Sequence, residues 1–330
     1  MPHRFVAEML PGQRVDDDIY LIRSKDLRTT TQGGLYIHAV LMDRTGQVPS
    51  RMWQATEEQF VGMPEGGFMR FKGRAENYKG NLQFIIEGMR PAEPGSFDIM
   101  DYLPTTTNDT EKMWARAKEI LSGIKHPDLA ALVKEFLADE PLIARFRKAP
   151  AASAKHHAYI GGLLEHTLGL LELGLRVIPM YPKLSLDLVL TGLFLHDIGK
   201  ASELTFETSI GYTDQGQLIG HIVQATIWVS EKANALGKRT GKPFPEQLLW
   251  MLQHIILSHH GQYEFGSPKL PAIPEAVAIH YLDNLDAKIN MFLAEIEGDR
   301  DPADLWTNYN SALGTKVFKG DPLGVRKGAK

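Results

Sequence analysis

The chain has 330 residues, 43% hydrophobic and 23% charged, with 36 Lys+Arg against 40 Asp+Glu and a formal net charge of -4. That length suits two domains and that composition a packed core, which excludes wholesale disorder and a generic polycation coating nucleic acid or anionic lipid. Cysteine is absent, so disulfides, zinc–thiolate sites and a thiol nucleophile are ruled out. No apolar run approaches the roughly 18–20 residues that cross a bilayer. The opening MPHRFVAEMLPGQRVDDD lacks the apolar stretch of a secretory signal. A soluble, cytoplasmic protein without a membrane partner is expected.

Residues 12 to about 90 read as β-rich. Strands are predicted at 18–22, 34–43, 48–54, 67–78 and 82–89, with a short helix over 56–61. Turns at Arg44-Thr45-Gly46 and Lys79-Gly80-Asn81 join hairpin partners. Five short strands in so small a span suit a barrel. A Pro-, Gly- and Thr-rich stretch over 90–110 follows, as a linker or an extended wrap. Helical periodicity then runs to about 298, with helices predicted at 111–124, 128–139, 157–177, 186–198, 218–235, 245–258 and 274–297. The organisation expected is a barrel over 1–90, a linker and helical connector over 91–150, a helical domain over 151–298 and a tail over 299–330.

Histidine is unevenly spread: nine of twelve lie between His156 and His280. His166 sits in LLEHTLGLL, His196 and Asp197 in LFLHDIGK, His221 in LIGHIVQA, His259 and His260 in ILSHHG, and Asp283 in IHYLDNLDAKI. The two doublets fall where apolar helices end before a glycine. There two adjacent side chains can reach one cavity, whereas inside a helix neighbours diverge by about 100°. A buried Asp283 is costly without a compensating cation. Imidazole with carboxylate suits first-row divalent metals. Seven candidate ligands exceed the needs of one ion that also holds water and substrate, and they suit two ions bridged by a carboxylate. The bridge falls to Asp197, the carboxylate beside a ligand histidine.

This ordered set resembles the HD-domain metal-dependent phosphohydrolases, an all-α superfamily, with HDIGK at 196–200 and HHG at 259–261 close to the wording of its two-metal variant. KHHAYIGGLLEHT at 155–167 and DNLDAK at 283–288, behind a small barrel, are similar to the YhaM-type 3′–5′ exoribonucleases. The resemblance covers the chain from about residue 12 to the tail. It implies a multidomain α and β protein, a five-stranded OB-like barrel feeding an all-α HD-domain bundle. It further implies that His166, His196, Asp197 and Asp283 hold one divalent ion and Asp197, His221, His259 and His260 a second. Manganese comes first, with iron, nickel, cobalt or zinc as alternatives. The implied reaction is attack by a dinuclear metal-activated hydroxide on single-stranded RNA, releasing nucleoside 5′-monophosphates. The resemblance also hints at a homo-oligomer.

Lys200 either contacts a phosphate oxygen, stabilising transition-state charge, or is a solvated lysine at a helix end. His156 and His157 either bind substrate phosphate or cap the His166 helix. Asp286 and Lys288 are read as a supporting pair or a surface ion pair, and His254 as packing. An OB-fold binds single strands by aromatic stacking beside a basic groove. Tyr36, Trp53, Arg70, Lys72 and Arg74 are the substrate-binding candidates, the three cations sharing one parity. Residues 1–90 carry 12 Lys+Arg and 11 Asp+Glu, so binding by the barrel alone should be weak. Two other functions compete. An HD phosphodiesterase acting on cyclic dinucleotides, nucleotides or single-stranded DNA leaves the barrel without a use, except in the last case. A non-catalytic single-strand-binding adaptor leaves seven costly polar groups without one.

Overall fold

The computed structural model describes residues 3–78, 81–93, 95–152, 159–206, 210–299 and 304–326. Two compact units emerge, Met1–Thr105 with Thr205–Gly211 and Thr106–Leu204 with Tyr212–Lys330.

In the first unit, strands β1 (Arg14–Thr29), β2 (Leu35–Asp43), β3 (Gly46–Trp53), β4 (Phe68–Tyr78) and β5 (Asn81–Pro91) form a closed barrel in the order β1-β2-β3-β5-β4. Every contact is antiparallel except β3 with β5. This is the strand order of an OB-fold. Alternation dictates the inside: Tyr20, Ile22, Ile37, Leu41, Phe71 and Phe84 fill it. Helix α1 (Glu57–Val61) follows β3, and Met63 just beyond it is fully buried in the barrel core. Its start is written in the sequence as a capping box, with Thr56 and Gln59 each bonding the other's backbone N–H.

The stretch after β5 wraps back on its own barrel. Phe97 and Tyr102 form a ring cluster with Phe68. Beside it both nitrogens of His3 face carboxylates, Nδ1 at 2.9 Å from Asp18 and Nε2 at 3.3 Å from Asp43.

In the second unit, α2 (Thr110–Ser122), α3 (Pro127–Leu137) and α4 (Glu140–Lys148) lead into α5 (Gly162–Val177), α6 (Leu186–Leu195), α7 (Lys200–Glu203), α8 (Asp214–Thr240), α9 (Glu246–Ser258) and α10 (Pro274–Gly298). Short strands β6 (Leu204–Thr205) and β7 (Gly211–Tyr212) pair between α7 and α8. Helix α6 is apolar on every side and buried from Leu188 to Leu195, as a central helix must be; α3, α5, α9 and α10 pack around it. Among the described residues no helix is long and apolar enough to cross a membrane.

The His3 cluster gives the barrel a pH dependence. Burial alone would depress the imidazole, but hydrogen bonds to Asp18 and Asp43 outweigh it and raise the group to about 9. A group raised on folding stabilises fully below its unfolded value near 6.5 and loses that contribution as pH climbs through the folded value. Thermal melts of the wild type should therefore lose about 1–2 kcal/mol relative to His3→Gln between pH 6.5 and 9. Parallel pH profiles for the two proteins would remove this assignment.

Candidate metal centre

The histidines and acids singled out in the sequence come from five separate helices. The buried face of α5, with Leu163, Leu164, Thr167, Leu170 and Leu171, also carries His166. Helix α6 ends with His196 as its cap, and Asp197 follows. Helix α8 breaks at Gly220 (φ 74°, ψ 159°), and the break presents His221. Helix α9 ends at Ser258, placing His259 and His260 in the following turn. Helix α10 supplies Asp283. Close packing fixes two of these placements: a Cβ on Gly199 would lie 2.2 Å from the His221 carbonyl oxygen, and one on Gly261 (φ 78°) would lie 2.2 Å from the His280 ring.

Asp197 is at the middle. Its Oδ2 faces His196 Nε2 at 3.4 Å and His166 Nε2 at 3.8 Å. Its Oδ1 faces His221 Nε2 at 3.4 Å and His259 Nε2 at 3.5 Å. Asp283 Oδ1 lies on the first side, 3.2 Å from His166 Nε2 and 4.0 Å from His196 Nε2. Two groups result whose ligand atoms lie within 4.8 Å of one another, His166 with His196 and Asp197, and His221 with His259 and His260.

All five imidazoles are held from behind through Nδ1. His196 donates to the Leu193 carbonyl at 2.9 Å, His259 to Ile256 at 2.7 Å and His260 to Phe265 at 2.8 Å. His166 donates to Asp286 at 2.7 Å and His221 to Glu203 at 2.9 Å. A proton committed at Nδ1 leaves the Nε2 lone pair facing inward. Yet Nε2 of His196, His221 and His259, with Asp197 Oδ1, are buried and have no hydrogen-bond partner. Four such orphans in one place are expensive in a folded protein. Divalent cations would satisfy all four, and imidazole nitrogen with carboxylate oxygen is a donor set that first-row metals accept. The residues present therefore fit a metal pair that shares Asp197.

The electrostatics agree. Burial, with the neighbouring His259 and His221, lowers His260 to about 3; burial likewise depresses His259. Both are neutral near pH 7, as ligands must be. Burial opposes ionisation of Asp197, but Lys200 and His196 hold it well below the usual carboxylate range. His166 runs the other way: Asp283 and Asp286 overcome burial and raise it to about 9, so a cation taken up through its Nε2 displaces a proton.

Lys200 reaches Asp197 Oδ2 at 2.6 Å, so its ammonium is committed to that carboxylate and is not a solvated lysine. His156 and His157 lie outside the described residues. Asp286 supports His166 rather than pairing with Lys288, which makes no ion pair among the described residues. His254 accepts from the Ala272 N–H at 2.8 Å, a structural role. Glu203, which fixes both the backbone N–H and the ring of His221, had no signal in the sequence: 18 residues and a turn separate it from its partner. Beside the metal ligands lies a cavity of about 460 Å³ whose wall includes Lys200, Tyr212, Phe265, Asn284 and Lys288.

The barrel candidates fall on two sides. Tyr36 and Trp53 are cross-strand partners on β2 and β3 with ring centroids 5.0 Å apart. Arg70, Lys72 and Arg74 lie on β4, which pairs with β1 and β5 only. Arg70 bonds Asp17, which also holds Arg90, and Arg74 bonds Glu87 at 2.6 Å.

The HD-domain family matches residues 163–288. The 3′–5′ exoribonuclease YhaM of Geobacillus sp. (strain WCH70) is 34% identical over 289 residues, covering 87% of this chain and 86% of the relative. The YhaM exoribonuclease of Bacillus subtilis (strain 168) is 32% identical over 287 residues, covering 87% and 88%. The chain belongs to the YhaM-type 3′–5′ exoribonuclease family. Among solved structures, the second OB-fold domain of replication protein A from Methanococcus maripaludis covers 29% of this chain and 100% of its own, at 16% identity and a TM-score of 0.24. The HD-domain match begins at the helix that carries His166 and ends just beyond Asp283, so in this YhaM-type chain all seven candidate ligands lie inside it.

Removing a supporting carboxylate should weaken the centre without dismantling it. Asp286→Ala and Glu203→Gln are each expected to lower metal affinity about 10–100-fold. Metal content measured after dialysis against graded chelator checks this, and unchanged retention in both variants would contradict the geometry.

Proposed function

We infer that the protein is a metal-dependent 3′–5′ exoribonuclease that shortens single-stranded RNA and releases nucleoside 5′-monophosphates. The observation that carries this reading is the ring of inward-facing, unpartnered Nε2 atoms around the two oxygens of Asp197 in a chain of that family. His166, His196, Asp197 and Asp283 would hold one cation, and Asp197, His221, His259 and His260 the other. The mixed imidazole and carboxylate set suits manganese, iron, cobalt, nickel or zinc, and we place manganese first. When bound, such a pair lowers the pKa of a water and neutralises charge on the phosphoryl group.

The chain's own residues set the stage for that chemistry. The Nδ1 contacts hold each imidazole in one tautomer and one direction. Lys200 offsets the buried charge of Asp197 and stays on the cavity wall. The apolar body of α6 keeps water from reaching the ligands from behind.

For the barrel we propose that the strand lies on the face carrying Tyr36, Arg51, Trp53 and Tyr78. Trp53 and Tyr78 are 44% and 45% exposed, and the Arg51 guanidinium lies 5.4 Å from one ring and 5.1 Å from the other. Bases stack on such rings without regard to sequence. The β4 cations are less suited, because Arg70 and Arg74 are already neutralised by acids. Self-association, expected from the family, is supported by Tyr281, Leu285 and Ile289, which stand exposed on successive turns of α10.

Two experiments test these roles. With RNA labelled at the 5′ end, product ladders should shorten one nucleotide at a time. With 3′-labelled RNA the label should appear at once as mononucleotide. Both should stop with chelator and with Asp197→Ala, and internal cleavage would overturn the exonuclease reading. Separately, Trp53→Ala should weaken RNA binding about tenfold and Arg74→Ala about twofold or less, measured by fluorescence anisotropy on the Asp197→Ala background. The reverse ranking would move the strand to β4.

A further inference from the structure

We propose that Tyr212, Phe265 and Lys288 seat the end of the substrate strand, the two rings flanking the terminal base and the ammonium holding the phosphate next to the scissile one. The proposal rests on the exoribonuclease reading above and deepens it.

Start from the rings. Tyr212 ends β7 and Phe265 ends the turn after His260, and both line the cavity beside the metal ligands. They are 47% and 57% exposed. A phenylalanine left in water next to a polar centre gives up burial free energy unless something covers it. The Phe265 backbone is not free to swing away, because its carbonyl accepts the Nδ1 proton of His260 at 2.8 Å. The same hydrogen bond that aims one ligand thus fixes the position of the ring beside it.

Next consider charge. Among the described residues two lysines line this cavity. Lys200 is committed to Asp197. Lys288 makes no hydrogen bond or ion pair among the described residues, and Asp286, two positions before it, is committed to His166. Among the described residues it is therefore the cation on this wall that an incoming anion can use. Helix α10 brings it there by register. Asp283 and Lys288 sit at opposite edges of the helix face that lines the cavity. They are five positions apart, a rise of about 7.5 Å along the axis. A strand whose scissile phosphate lies against Asp283 reaches Lys288 with its neighbouring phosphate, on the way out to solvent. Cavities of this size, about 460 Å³, fall within the range that holds a small organic ligand.

The test pairs deletions on protein and substrate. On an unmodified oligoribonucleotide, Phe265→Ala, Phe265→Leu and Tyr212→Ala should each raise KM about tenfold with kcat little changed. On an oligonucleotide whose 3′-terminal residue lacks its base, the same variants should match the wild type. Lys288→Ala should raise KM on the normal strand and have no effect when the penultimate linkage is an uncharged methylphosphonate. Equal effects on intact and deleted substrates would overturn the proposal. Hydrolysis of bis(p-nitrophenyl) phosphate, which has neither base nor second phosphate, should be the same in all the proteins. A parallel loss there would mean the changes act on the metal centre instead. Calorimetric binding of a 5′-phosphorylated dinucleotide, which carries both the scissile and the neighbouring phosphate, to the chelator-treated full chain gives a readout free of turnover. If the wild type leaves RNA intact yet binds this dinucleotide through these three residues, the exoribonuclease reading falls and the seat stands. If RNA is shortened but binding ignores all three, the seat falls alone.

Discussion

The second unit depends on one arrangement: a buried carboxylate whose two oxygens each face a different set of imidazole lone pairs. Asp197 is 2% exposed at the end of the most apolar helix in the chain. An ionised group there is tenable only with strong compensation. Lys200 supplies part of it at 2.6 Å. The histidines facing it cannot supply the rest as hydrogen-bond donors, since three of them present Nε2 without any partner. Cations between the carboxylate and the lone pairs would resolve both shortfalls at once.

The backbone explains why the ligands sit where they do. An α-helix leaves its last four carbonyls without intrahelical partners. His196 and His259, at the ends of α6 and α9, each bond the carbonyl three residues back, at Leu193 and Ile256. The helix end thus exposes the side chain, satisfies a stray carbonyl and fixes the tautomer. His166 sits mid-helix and His221 follows a break, and neither uses a spare carbonyl. Those two are the ones served by carboxylates, Asp286 and Glu203. Hence the centre has two kinds of support, one local in sequence and one brought in from another element.

That division also decides what could be read beforehand. The candidate ligands were legible because polar residues are costly inside apolar helices, and HD and HHG fell at helix ends. The supporting acids were not, because Glu203 and Asp286 reach their partners only through the fold, the latter across 120 residues. In the barrel, alternation located all five strands, yet β1 runs over Arg14–Thr29 where 18–22 was expected. It pairs with β4 in its first half and with β2 in its second; Arg23, Lys25, Asp26 and Arg28 crowd that second half, where Leu27 alone packs against the core, and they hide the period. Helix α4 lies within the span expected only as a helical connector, and it contains Pro141. That proline stands in the first turn behind the Asp139 cap, where it costs nothing.

The net charge of -4 has a related local meaning. On the barrel, Arg70 and Arg90 share Asp17, and Arg14 and Arg74 share Glu87. These cations are matched within the protein and have little left for phosphates. Stacking on Tyr36, Trp53 and Tyr78 depends far less on salt than phosphate neutralisation does. In the role proposed for it, such a barrel would hold a strand loosely and without sequence preference, and the tether to the catalytic unit would raise the local concentration of strand ends there. In the proposed arrangement positive charge is concentrated at the centre itself, where the cations and Lys288 would meet the phosphates nearest the bond to be cut. Weak holding along the strand combined with strong holding at its end suits an enzyme that must advance one residue after each cleavage.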